Sequence, residues 1–268
     1  MSQDATPTKR ERRDAARTER LERERADAAA GTRRKRLLTL GGLFGAAVVI
    51  VIAAVLISSG GGSSTSSNPD GDLVGVSETK ALIGGIPQRG VTLGKADAPV
   101  TIVEFADPQC PFCRDYTVNE MPAVVQKYVR TGKAKMELRY LTFIGPDSVK
   151  AASVLAGASQ QNKLWESSDL FYRNQGEENS GYVTEDFLTK VLTGAGADAD
   201  QAIAAAGSPA AAQQLAEAKT LASKYAVEAT PTILVGPTGG ELKQDTEGQP
   251  TAAGIGRLVD AAAAKAGT

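Results

Sequence analysis

Residues Leu37 to Ile57 read LLTLGGLFGAAVVIVIAAVLI, a run of 21 without a charged side chain. As a helix rising ~1.5 Å per residue it is ~31 Å long, which matches a hydrocarbon core of ~30 Å. The run is therefore predicted to cross a membrane once. Arg33, Arg34, Lys35 and Arg36 abut its N-terminal end, whereas the 22 residues from Ser58 to Thr79 contain no Lys or Arg. The positive-inside rule then keeps residues 1–36 in the cytosol and carries everything after Ile57 across. A cleaved signal peptide is the first competing reading, but the run exceeds the usual ~7–15 apolar residues and no A-x-A site closes it. Thr32-Arg33-Arg34 offers a third, a twin-arginine export signal. All three place the downstream chain on the same side.

The segments flanking this span differ in kind. Residues 1–36 hold 12 of the chain's 30 basic and 7 of its 31 acidic residues, leaving an excess of acid for the rest. Only Leu21 interrupts the polar surface between Lys9 and Arg36, so a helix there has no face to pack, and a solvated charged tail is expected. Its basic end can meet anionic lipid, but the interleaved acids argue against nucleic acid. SSGGGSSTSSNPDGD, from Ser58 to Asp72, has the composition of a flexible linker.

About 193 residues remain from Val76, enough for one compact core. Pro99 to Phe105 reads PVTIVEF, nearly continuous in apolar and β-branched residues, which predicts a strand buried on both faces. Glu104 is out of place in it. After the loop Ala106 to Gln109 come Cys110-Pro111-Phe112-Cys113, then Met121, Val124, Val125 and Tyr128 at helical spacing. The reading is strand, tight loop, helix, with Cys110 at the N-cap and Pro111 at the first helical position. Pro122 should kink or divide that helix. Thr131-Gly132 turns into an alternating strand, Met136 to Tyr140. From about 147 to 227 the periodicity is helical, with Leu164, Trp165, Phe171 and Tyr172 on one face, Phe187, Leu188, Val191 and Leu192 on another, and Leu215, Ala218, Ala222 and Tyr225 on a third. Strand character returns at Thr232 to Val235, followed by a turn at Gly236 to Gly240. The last helix is expected to bury Ile255, Leu258, Val259, Ala262 and Ala266.

The chain has no histidine, which excludes Ser-His-Asp and Cys-His catalysis and histidine metal sites. Its two cysteines cannot complete a four-thiolate zinc site, and a disulfide between them would close too short a loop to staple a domain. They read as reagents. A helix N-terminus favours thiolate at Cys110, making it the better nucleophile and leaving group, while Cys113, one turn inward, should be more buried. The same spacing serves zinc loops and metal carriers, so the position after a buried strand, on the oxidising side of a membrane, is what weighs toward redox chemistry.

FADPQCPFC, Thr230-Pro231 opening a later strand, and the helical block between them resemble the DsbA-like branch of the thioredoxin superfamily, the exported thiol-disulfide oxidoreductases. The resemblance covers roughly Gly85 to Ala266. It implies an α/β thioredoxin fold with an inserted helical domain, here preceded by one transmembrane helix. It also implies a cis bond between Thr230 and Pro231, whose loop lies against the sulfurs and receives the substrate backbone. The buried acid of the family falls on Glu104, as proton acceptor for the deeper thiol. Where the best-known oxidants of the family carry histidine, this chain has Phe112, which offers the thiolate neither a hydrogen bond nor a positive charge.

The expected function is a membrane-anchored, extracytoplasmic thiol-disulfide oxidoreductase. Its Cys110-Cys113 disulfide would oxidise cysteine pairs in exported proteins, without cofactor or metal, and would be restored by a quinone-linked membrane thiol oxidase. With about 25 residues between the linker and Val100, there is no room for the dimerisation domain of a related isomerase. A reductase fed by a membrane donor, a redox-silent peptide-binding module and a metal carrier are the other readings.

Overall fold

The computed structural model describes residues 72–244 and 248–266. Contacts divide the chain into units 1–65 and 66–268, and all described residues belong to the second. The expected tail of 1–36, span of 37–57 and most of the 58–75 linker lie outside the described residues. Among the described residues no helix is long and apolar enough to cross a membrane.

A helix α1, Val76–Ile83, and a hairpin of two-residue strands, β1 Gln88–Arg89 and β2 Thr92–Leu93, precede the central strand β3, Val100–Ala106. Sequence periodicity does not reveal these first three elements. Arg130 holds α1 by its C-terminal end, its guanidinium donating to the carbonyls of Ala81, Leu82 and Gly84, where a helix leaves its acceptors unpaired and its dipole favours a cation. After β3 come helix α2 (Pro111–Asp115), a π-helical turn (Tyr116–Glu120), helix α3 (Met121–Val124) and a second π turn (Val125–Val129). The expected helix is thus divided, and Pro122 sits in the first turn of α3, where its lack of an N–H is tolerated.

β4, Ala134–Tyr140, alternates strictly between buried and half-buried residues. The helical insertion follows as α4 (Pro146–Ser159), α5 (Leu164–Arg173), α6 (Glu185–Gly194), α7 (Ala199–Ala205) and α8 (Pro209–Lys224). Three of these helices start where a side chain accepts from the first turn: Thr184 from the Phe187 amide, Asp198 from Gln201 and Ser208 from Ala211. Gly157 lets α4 and α7 touch, since a Cβ there would lie 2.1 Å from the Ala202 carbonyl oxygen. The chain ends in β5 (Thr232–Pro237), β6 (Lys243–Gln244) and α9 (Ala252–Ala266). β5 therefore runs two residues beyond the expected strand, and the turn shifts to Thr238–Gly240.

The six strands lie in the order β1-β2-β4-β3-β5-β6, with β3 parallel to β4 and antiparallel to β5. β3 is buried along its whole length, as its composition requires. Its alternate residues serve different layers. Val103 and Phe105 pack with Ala218 and Ala222 of α8, whereas Val100, Ile102 and Ala106 join the larger core that holds Cys113, Tyr116, Tyr128, Ile255 and Val259. Glu104, by its period-two position, faces that larger core. In α9, Ile255, Val259 and Ala262 are buried as expected, but Leu258 is half-buried and Ala266 is exposed. The buried stripe of α9 thus ends at Ala262, one turn short of the expected Ala266.

Candidate dithiol site

The parallel pairing of β3 with β4 ends at Ala106 and Tyr140, and the chain leaves the sheet there into the loop Asp107–Gln109. Cys110 follows in extended geometry (φ −69°, ψ 119°) as the N-cap of α2, with Pro111 in the first helical turn. Its carbonyl accepts the first helical bond, from the Arg114 amide at 3.2 Å. Phe112 projects outward, 53% exposed, while Cys113 turns inward at 0% and Cys110 remains at 4%. Both thiols are free.

The third contributor comes from the far end of the insertion. The Thr230–Pro231 peptide bond is cis, as the resemblance implies. The Cys110 thiol donates to the Thr230 carbonyl oxygen, with Sγ 3.3 Å away. Pro231 is buried and Thr230 half-buried.

The two thiols are driven apart in acidity. A hydrogen bond from the Cys113 thiol brings Cys110 down to about 6, with help from the Thr230 side chain and the amides of Cys113 and Phe112, and against the effect of burial. Burial pushes Cys113 well above the usual thiol range, and donating to Cys110 and facing its charge push it further. The Phe112 side chain adds nothing to the thiolate, but its backbone amide does.

Glu104 is 1% exposed, opposite Leu138 on β4 and Ile233 on β5. Burial pushes its carboxyl up to about 8, and its Oε2 has no protein partner. Tyr116, three residues beyond Cys113, is buried in the same core, and its hydroxyl is also without a partner. At pH 7 Glu104 is largely protonated, so it enters any exchange as a neutral acid.

The loop before Cys110 carries a network that the sequence does not announce. Asp107 is fully buried and forms no salt bridge among the described residues, yet its carboxylate accepts four hydrogen bonds. These come from the Ser148 hydroxyl (2.6 Å) and the amides of Gln109 (2.9 Å), Phe143 (2.7 Å) and Ile144 (3.2 Å). Such a shell replaces water around a buried charge. The Asp107 carbonyl accepts from the Cys110 amide at 3.0 Å and from the Tyr172 hydroxyl at 3.0 Å. Gln175 Nε2 donates to the carbonyls of Pro108 (2.8 Å) and Cys110 (3.1 Å). The Asn179 amide donates to Gln109 Oε1 at 2.6 Å. Asp107 before a proline could have been read as a turn former. Nothing local marks Gln175 or Asn179, because both reach the loop only through the tertiary fold. The side chain of Phe143, on the strap held by Asp107, is 56% exposed.

Fold and site together define a thioredoxin-fold protein with a dithiol at a helix N-cap, shielded by a cis-proline loop and interrupted by a helical insertion. The family model described as Thioredoxin matches residues 88–258, and the chain belongs to that family. A probable disulfide bond formation protein D of Bacillus cereus is 36% identical over 103 residues, which are 38% of this chain and 48% of that protein. Disulfide bond formation protein D of Bacillus subtilis is 27% identical over 146 residues, covering 53% and 66% of the two chains. The match thus spans about half to two thirds of the length of these relatives. Among solved structures, oxidised BdbD from Bacillus subtilis aligns with a TM-score of 0.57 at 21% identity, over 67% of this chain and 97% of that one. Wolbachia pipientis alpha-DsbA1 aligns with a TM-score of 0.55 at 18% identity, over 68% and 95%. These two likenesses establish a DsbA-like fold.

Proposed function

We propose that the chain is an extracytoplasmic protein thiol-disulfide oxidoreductase, held to the membrane by residues 37–57, that introduces disulfides into exported proteins. The observation that carries this reading is the division of labour between the two thiols: Cys110 favours the thiolate at about 6 while Cys113 stays a buried thiol. In the oxidised protein, a substrate thiolate attacks the Cys110 sulfur. An intermolecular disulfide forms, the Cys110–Cys113 bond breaks, and Cys113 leaves as thiolate and takes a proton. A second substrate thiolate then attacks the substrate sulfur of the mixed disulfide, closing the substrate disulfide and expelling Cys110 as a thiolate. Two electrons pass from substrate to the dithiol. A quinone-linked membrane thiol oxidase is the partner proposed to remove them.

Glu104 is proposed to hold and return the proton of Cys113, since it is the ionisable side chain of β3 that faces the core where that sulfur lies. Thr230 and Pro231 form the proposed seat for an extended substrate backbone, and the exposed Phe112 beside Cys110 is proposed to offer it an apolar contact. The names of the Bacillus relatives support the direction of the reaction.

One observation favours a second reading. At about 6, Cys110 lies nearer the ~7 of thioredoxin than the ~3.5 of the strongest oxidant of the fold. A reductase fed by a membrane donor fits that value. The reduction potential of the full-length chain in detergent, equilibrated with glutathione, decides between them. A value above about −200 mV supports the oxidase, one near ~−270 mV supports the reductase, and failure to exchange at all removes both.

A further inference from the structure

Every residue from Asp107 to Cys110 is hydrogen-bonded to the helical insertion. Tyr172 takes the carbonyl of Asp107, Ser148 its carboxylate, and Asn179 the side chain of Gln109. Gln175 takes the carbonyls of Pro108 and Cys110. The last contact differs from the others in where it acts. One side-chain amide, 5% exposed and beneath the loop, bridges two carbonyls that bracket Gln109, and the second belongs to the reactive cysteine itself.

The Cys110 carbonyl defines the peptide plane leading into Pro111, and it is also the acceptor of the first helical bond from Arg114. The amides of Phe112 and Cys113 reach the Cys110 sulfur only while that plane keeps its orientation. A bridge from Pro108 to Cys110 removes the rotation that would turn them away. Gln175 is therefore placed to tune the cysteine without touching its sulfur or any substrate.

We propose that Gln175 is a positioning residue for Cys110, whose amide locks the Pro108–Gln109 and Cys110–Pro111 peptide planes and so keeps the Phe112 and Cys113 amides aimed at the Cys110 sulfur. Its importance for turnover rests on the exchange reaction proposed above, but its effect on the thiol does not.

The test uses the reduced full-length chain in detergent, with two readouts: the pH profile of Cys110 alkylation by iodoacetamide and the equilibrium constant with glutathione. Gln175→Met, which keeps the length and removes both donors, should slow alkylation at pH 6 about three- to tenfold, the range that the loss of one net hydrogen bond gives. The constant for disulfide donation should fall by a similar factor. Gln175→Glu, which sets acceptors against two carbonyls, should move both further.

Asn174→Leu is the control. That neighbouring buried amide donates to the carbonyls of Val74 and Leu170, away from the loop, so its loss should lower thermal stability and leave both readouts in place. Where the Met variant does not fold, Gln175→Asn, one methylene short of the two carbonyls, replaces it. Wild-type alkylation and equilibrium in the folded Gln175 variants overturn the proposal, as does an equal shift in Asn174→Leu. A wild-type chain that does not exchange with glutathione overturns the assigned reaction instead, and the alkylation profile still decides the role of Gln175.

Discussion

The sulfur of Cys110 lies 3.3 Å from the carbonyl oxygen of Thr230, a residue 120 positions further along the chain. That contact closes the dithiol site from the side away from the helix. It leaves Cys110 as the reachable sulfur and Cys113 as the hidden one, and the first expectation follows from that asymmetry.

Cys113→Ala should accumulate mixed disulfides between Cys110 and its substrates, because the neighbouring thiol that can attack Cys110 and return the substrate as a free thiol is gone. Cys110→Ala should accumulate few. Non-reducing gels of the two variants expressed in cells read this out, and the opposite pattern would reverse the roles of the cysteines.

Alkylation of Cys110 in the reduced protein should have its midpoint near pH 6, fall about tenfold per pH unit below it and level off above pH 7. Linkage adds a stability effect. The native pKa lies below the unfolded value of 9.0, so native Cys110 is ionised at a lower pH than unfolded Cys110. The advantage of the reduced protein over its Cys110→Ser variant should therefore be complete above pH 9 and vanish as the pH falls through 6. A midpoint near 9 in the alkylation profile would falsify this account of the thiol.

Glu104 works in the opposite sense. Its native pKa of about 8 exceeds the ordinary 4.5, so the unfolded chain ionises first and the native state loses ground between pH 4.5 and 8. Glu104→Gln should remove that loss, with a gain in stability on the order of 4 kcal/mol larger at pH 8 than at pH 4. It should also slow the steps in which Cys113 attacks or leaves, while sparing Cys110 alkylation. Denaturant titrations at the two pH values test the first part. Unchanged thiol-exchange rates would leave Glu104 with a purely structural role.

Asp107→Ala removes the acceptor for the amides of Phe143 and Ile144 and for the Ser148 hydroxyl, all within 3.2 Å. Buried donors left unpaired cost ~1–3 kcal/mol each before relaxation, so a net loss of about 3 kcal/mol is expected, or a melting temperature lower by about 10 °C. Calorimetry of the reduced full-length chain checks this. A shift under 2 °C would mean that the network contributes little.

Protease added to cells stripped of their wall should degrade the dithiol domain and spare the tail of residues 1–36. This tests the side assigned from the Arg33–Arg36 cluster and the cation-free stretch after the span. A protected dithiol domain would remove the exported-protein substrates from the proposal.

Much of this architecture could be read from local pattern. Seven consecutive buried positions in β3 require an apolar, β-branched sequence, and Pro111 after Cys110 marks a helix start. The alternation in β4 and the apolar stripes of α5 and α6 are equally visible. β1, β2 and β6 are two residues each, too short for any period to register, and pairing alone makes them strands. Ala266 shows a related limit, since helical spacing puts it on the apolar stripe although it is exposed. At the site, Cys110, Cys113 and Pro231 stand out by residue type, whereas Gln175 is one glutamine among many. Its meaning lies in carbonyls more than 60 positions away.

The sheet order carries a consequence for biosynthesis. β5 pairs with β3 along nearly its whole length, but the entire insertion separates the two in sequence. A chain made N-terminus first presents both cysteines long before Thr230 has emerged. Throughout that interval the thiols have a helix start but no shielding loop, and the nascent protein resembles a substrate of its own kind. Its site is complete only when the last strands are added, so maturation ends at the place where the chemistry begins.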